Sequence, residues 1–200
     1  MSVLDTTSAL EALIAVHGEA LLDVAVESIR HRLVHDEPLP VVIQSFPSAL
    51  AESGASFVTL HRDRELRGCI GTAQPWRALI ADVAANACAA AFEDPRFDSI
   101  NMHEIDALEI ELSLLGPAVP LAVFSEVELL AALRPGRDGL ILSEGSRRGL
   151  FLPAVWDSVN GPADFVRHLK EKAGIAKWSS RVTVHRFETR SVTRSPSLPP

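Results

Sequence analysis

Cysteine is scarce in this 200-residue chain: Cys69 and Cys88 are the only two, 19 positions apart and in no C-x-x-C pair. That scarcity speaks against a disulfide framework or a zinc cluster and points to a reducing, cytosolic setting. Long apolar runs are lacking too, none approaching the roughly 18 residues that cross a bilayer. The opening Met1-Ser2-Val3-Leu4-Asp5 has no basic region, so neither export nor membrane insertion is expected. Also missing are G-x-G-x-x-G, the P-loop, H-E-x-x-H and G-x-S-x-G. In Gly145-Ser146-Arg147-Arg148-Gly149 the serine stands one place too early for the last of these. The sequence names no cofactor and no metal.

What is present is a chain that folds. At 47% hydrophobic and 22% charged residues it suits one compact domain or two small lobes. The net charge of -7 is uneven. Residues 1–60 and 101–133 are strongly acidic, whereas 134–200 carry twelve basic and six acidic side chains. The overall balance disfavours DNA as a partner while leaving a small anionic ligand open. Arginine accounts for 16 of the 19 cations, a preference that suits planar contacts to carboxylate or phosphate and also arises from genome composition.

Apolar residues at three- and four-residue steps predict an amphipathic helix over Gly18 to Val34 and a second from Pro75 to about Phe92. Ser56 to His61 and Glu65 to Thr72 read as a hairpin around Arg62-Asp63-Arg64. Leu108, Ile110, Leu112 and Leu114 alternate with Glu109, Glu111 and Ser113, the pattern of a half-buried strand. Ser125 with Glu128 forms a capping box for a short helix. A second hairpin spans Gly139 to Leu152, Gly161-Pro162 opens a helix to Ala173, and Arg181 to Thr189 is the last strand. Hairpins interleaved with single helices imply an α+β fold, a mixed and largely antiparallel sheet with flanking helices. Residues 1–190 read as one domain and the proline-bearing 191–200 as a disordered tail.

The segment Leu66-Arg67-Gly68-Cys69-Ile70-Gly71-Thr72 carries two glycines where a strand would keep side chains, as when something approaches the backbone closely. Period two puts Arg67, Cys69 and Gly71 on one face, and a neighbouring guanidinium favours a reactive thiolate. Cys69 is thus a candidate nucleophile; the plainer reading is a small packing residue. Glu111 and Ser113 share a strand face, and Glu111 can hold Arg67 if the two strands adjoin. His61, His103 and His185 are candidate bases that spacing does not place beside Cys69. Thr72 and, on the second hairpin, Arg148 complete the set of substrate-binding candidates. Asp94-Pro95-Arg96-Phe97 reads as a structural turn, and Cys88, on an apolar helix stripe, as packing.

The hexapeptide Leu66-Arg67-Gly68-Cys69-Ile70-Gly71 resembles the signature of the AMME chromosomal-region candidate domain family, whose bacterial and archaeal members are labelled AmmeMemoRadiSam system protein A. Phe57-Val58-Thr59-Leu60, Asp94-Pro95-Arg96-Phe97, Ile110-Glu111-Leu112-Ser113, Gly136-Arg137-Asp138-Gly139 and Gly149-Leu150-Phe151-Leu152-Pro153 extend the likeness across residues 18 to 189. The resemblance implies a larger and a smaller lobe around a cleft beside the hexapeptide, and association with a Memo-type protein and a radical-SAM enzyme. It implies no known reaction. Two expectations follow: a cytosolic accessory domain in which Cys69 performs catalysis or carries substrate in a redox or modification pathway, or a binding module for a nucleotide, nucleic acid or partner peptide.

Overall fold

The computed structural model describes residues 3–196, with side chains from Ser8 onward. In chain order, helices α1 (Val3–His35) and α2 (Ser48–Ala51) precede strands β1 (Ser53–Gly54), β2 (Ser56–Arg62), β3 (Glu65–Gly71) and β4 (Arg77–Ala78). Then come α3 (Leu79–Phe92), β5 (Leu108–Leu115), β6 (Val119–Pro120), α4 (Glu126–Ala132), β7 (Gly139–Glu144) and β8 (Arg147–Phe151). Helix α5 (Pro162–Ala173) and strands β9 (Thr183–Phe187) and β10 (Thr189–Arg194) follow. The class is α+β, as the hairpins and single helices imply. The chain divides into two compact units, one running to Leu115 and resuming at Arg190, the other spanning Gly116–Thr189.

The first unit is a four-stranded sheet in the order β10-β5-β2-β3, with β2 antiparallel to both neighbours. Alternation sends Val58, Leu60, Ile110 and Leu112 to one face, where they meet Leu21, Ala25 and Ile29 of α1 and Ile80, Val83 and Ala87 of α3. The small side chains of α3 let β3 approach its backbone. A Cβ built on Gly68 would stand 2.1 Å from the Ala90 carbonyl oxygen, so only glycine fits there. At Gly71 the corresponding atom would lie 2.1 Å from the Phe57 ring. Each glycine of the hexapeptide therefore answers to packing inside the unit.

Three boundaries differ from expectation. Helix α1 begins at Val3 rather than Gly18; Gly18 lies within it, where its missing side chain makes room for Val192, 3.3 Å from the Cβ position. Helix α3 begins at Leu79, because Arg77 and Ala78 first pair with Gly54 and Ser53 as β4. The expected disordered tail is in part a strand. Residues Thr189–Arg194 form β10 beside β5, with Val192 against the core and Arg190 and Arg194 bonded to Glu11 and Glu19 of α1. Residues 197–200 lie outside the described part.

The second unit is a sheet in the order β6-β9-β7-β8 with α4 and α5. Leu140, Leu142, Phe165, Val166 and Leu169 fill its core, and Trp156 stacks on Phe165 at 4.0 Å between ring centroids. Ser125 caps α4 as expected, its Oγ accepting from the Glu128 N–H at 3.2 Å. Arg134 bonds both Asp138, fully buried, and Glu188, closing an ionic cluster in which Trp156 donates to the Asp138 carbonyl. Among the described residues no helix is long and apolar enough to cross a membrane.

Candidate functional site

Cys69 lies opposite Thr59 on β2, and Thr59 lies opposite Glu111 on β5, so thiol, hydroxyl and carboxylate form one row across three strands. The rows on either side hold His61 with Glu109, and Gly71 with Phe57 and Ser113. This face is the one turned away from α1 and α3, and Cys69, Thr59, His61, Glu109 and Glu111 on it are all partly exposed.

β3 is the edge of its sheet, and an edge strand leaves backbone groups without strand partners. At Cys69 the segment after α3 supplies them. The Cys69 N–H donates to Asp94 Oδ2 at 2.9 Å, and its carbonyl accepts from Arg96 Nη2 at 3.5 Å. With both backbone groups turned outward, Cys69 and Thr59 form a close, non-hydrogen-bonded cross-strand pair. The Thr59 hydroxyl then donates to Cys69 Sγ at 3.3 Å. Asp94 is itself fixed by Arg96, through Nε at 2.9 Å, Nη2 at 2.6 Å and the backbone N–H at 3.1 Å. The Arg96 guanidinium holds the Asp94 carboxyl well below the usual carboxylate range, against the opposing effect of burial. The same bond raises the pKa of Arg96, with Cys69 adding to the rise.

Arg67 is not beside the thiol. The strand register shifts between Leu60 and His61, leaving Arg67 as the extra residue of a β-bulge and breaking the simple alternation. Its Nε and Nη2 donate to Glu104 at 3.0 and 3.4 Å, and its Nη1 donates to the Asp98 carbonyl at 2.8 Å. Arg62, which shares the packed-face parity of Val58 and Leu60, bonds the same carboxylate at 3.0 Å. Burial alone would raise the Glu104 pKa, but the bonds from Arg67, Asn101 and Arg62 outweigh it and the carboxyl is held below its usual range. The guanidinium nearest Cys69 belongs to Arg96, and Arg67 is a clamp between the hairpin and the segment leading to β5.

Glu111 does not hold Arg67 either: its Oε1 accepts from Ser113 Oγ at 3.3 Å, and Ser113 exchanges a hydrogen bond with Ser191 of β10 at 2.8 Å. Thr72 donates to Asp82 Oδ1 at 2.8 Å. It belongs to a buried network in which Asp82 also accepts from Ser56, Asn86 and Arg77. Arg148 is an exposed residue of β8 in the second unit, opposite Ser143. Cys88 is 5% exposed, and burial pushes its thiol pKa up, so its sulfur is a packing group as expected. His103 stands on an exposed turn and His185 on β9 of the second unit. His61 is on the Cys69 face, with Nδ1 4.0 Å from Glu109 Oε1.

Sequence reasoning missed Asp94, Arg96 and Glu104. The Asp-Pro-Arg run offered the signal for the first two, since an acid and an arginine held two apart by proline suit covering a strand edge. Thr59 was legible by the same alternation that marked Glu111.

These features define an α+β protein with a partly exposed cysteine, set by side-chain and backbone bonds, on the face of a four-stranded sheet turned away from α1 and α3. Residues 22–192 match the family model AMMECR1. Protein MJ0810 of Methanocaldococcus jannaschii is 39% identical over 158 residues, covering 74% of this chain and 77% of its own. A protein of Methanothermobacter thermautotrophicus is 33% identical over 179 residues, covering 86% and 91%. The crystal structure of the uncharacterized protein PH0010 from Pyrococcus horikoshii superposes with a TM-score of 0.81 at 28% identity, covering 91% of this chain and 94% of that one. The chain belongs to the AMMECR1 family.

Proposed function

We propose that this protein uses Cys69 as a nucleophilic, substrate-carrying thiol. The observation that carries this reading is the setting of Cys69: a partly exposed residue, with a Thr59 hydroxyl donated to its sulfur and its own backbone bonded on the outer side by the Asp94–Arg96 pair. A structural cysteine needs none of these contacts, as Cys88 illustrates. A hydroxyl donor gives negative charge on sulfur a partner, and a fixed strand holds the nucleophile in one place. In the simplest transfer, Cys69 loses its proton and forms a bond from sulfur to an electrophilic carbon of the substrate. The displaced group leaves with the bonding electron pair and takes up a proton. Glu111, one strand beyond Thr59, is placed for contact with the carried group.

Family resemblance supports a role for such a carrier beside a Memo-type protein and a radical-SAM enzyme, in a redox or modification pathway of the cytosol. The test is alkylation of the native protein by iodoacetamide near neutral pH with mapping of the modified cysteine. Cys69 is expected to label and Cys88 to stay unmodified until the protein is unfolded. A native Cys69 that labels no faster than Cys88 overturns the proposal.

A further inference from the structure

The face of the first sheet turned away from α1 and α3 is sorted by charge. All four Lys or Arg residues in its strands, Arg62, Arg67, Arg190 and Arg194, are tied to acids on the other side or at its margin: Glu104 for the first two, Glu11 and Glu19 of α1 for the others. The cation nearest Cys69, Arg96, is matched by Asp94. What the face itself presents around the sulfur is the Thr59 hydroxyl and the Glu111 carboxylate in the same row and the Glu109 carboxylate in the next, with the hydrogen-bonded Ser113–Ser191 pair in the row on the other side. Glu109 is 43% exposed and stands 4.0 Å from His61, the one residue on this face able to carry an opposing charge.

We infer that the group carried by Cys69 bears a positive charge, an ammonium or amidinium that meets Glu111 and, beyond it, Glu109. This rests on the reading of Cys69 as a substrate thiol and adds the chemical class of what it takes. Phosphate-bearing ligands fit poorly. They would enter a field of two carboxylates, while the arginines that could pair with them are already engaged by acids. Opposite charges a strand's width or two apart in a partly solvated site bias encounter several-fold, and salt weakens the bias.

Methanethiosulfonate reagents test this directly. Each converts the thiolate to a mixed disulfide and releases methanesulfinate, so only the charge of the transferred arm differs. The 2-(trimethylammonio)ethyl reagent and the 2-sulfonatoethyl reagent are reacted with the native protein, modification at Cys69 is followed by mass spectrometry, and each rate is divided by that of a small neutral thiol. The cationic reagent is expected to be favoured at least about fivefold at low ionic strength. The preference should fall toward unity in 0.5 M salt and in Glu111→Gln, with a smaller fall in Glu109→Gln. Equal normalised rates, or a preference for the sulfonate, overturn the inference while leaving Cys69 a reactive thiol. Failure of both reagents to modify native Cys69 instead overturns the underlying reading. Equal normalised rates in the unaltered protein overturn the inference even where a variant folds poorly.

Discussion

At the scale of single residues the contact that matters most is the hydrogen bond from Thr59 to the sulfur. Thr59→Val keeps the branched shape and removes only the hydroxyl. A hydrogen bond of this kind contributes about 1 kcal/mol, so Cys69 alkylation should slow about fivefold. Thr59→Ser should restore the rate, which a loss caused by packing alone would not do. Asp94 acts on the same residue through its backbone. Asp94→Asn keeps a carbonyl for the Cys69 N–H but weakens three bonds from Arg96. Because Arg96 is half exposed and regains water, the expected cost is about 2 kcal/mol, read by chemical denaturation.

Among the elements, the edge strand β3 shows how far sequence reasoning reaches. The alternation of Leu108 to Leu114 located β5 and the face of Glu111, because a half-buried strand obeys period two, and the β-rich run Ser56 to His61 located β2. The same rule misplaced Arg67, since a bulge adds a residue without leaving a periodic trace. The fate of Arg67 was set by Glu104, a carboxylate 37 positions away in sequence. The composition of 191–200 hid β10, whose strand character lies in the alternation of Arg190, Val192 and Arg194 toward α1 with Ser191 toward Ser113. Gly68 was marked as unusual, but its reason, the Ala90 carbonyl, belongs to a neighbouring helix. A methyl group there must displace backbone, so Gly68→Ala is expected to cost about 2–3 kcal/mol. In differential scanning calorimetry the melting temperature should drop by about 5–10 °C. An unchanged melting temperature would show that α3 yields easily at this contact.

Across the whole molecule, a chain with net charge -7 ties several of its arginines to acids that are nearly buried, Glu104 and Asp94 in the first unit and Asp138 and Glu188 in the second. That arrangement makes stability sensitive to acid. Asp94 and Glu104 both have carboxyl pKa values below their ordinary 3.8 and 4.5. Their stabilising contribution is therefore complete above those ordinary values. Below them the unfolded chain takes up protons that the folded chain refuses, and stability falls by up to about 1.4 kcal/mol per pH unit for each such group. It continues to fall until the folded carboxyls are themselves protonated. Urea unfolding followed between pH 6 and pH 3 should show a plateau to about pH 5 and then a decline. In an Asp94→Asn, Glu104→Gln double variant the plateau should lie lower, because Arg62, Arg67 and Arg96 lose charged partners. Its decline should be shallower, because two of the proton-linked groups are gone. A double variant with the same acid slope as the parent would show that the acid sensitivity does not come from Asp94 and Glu104.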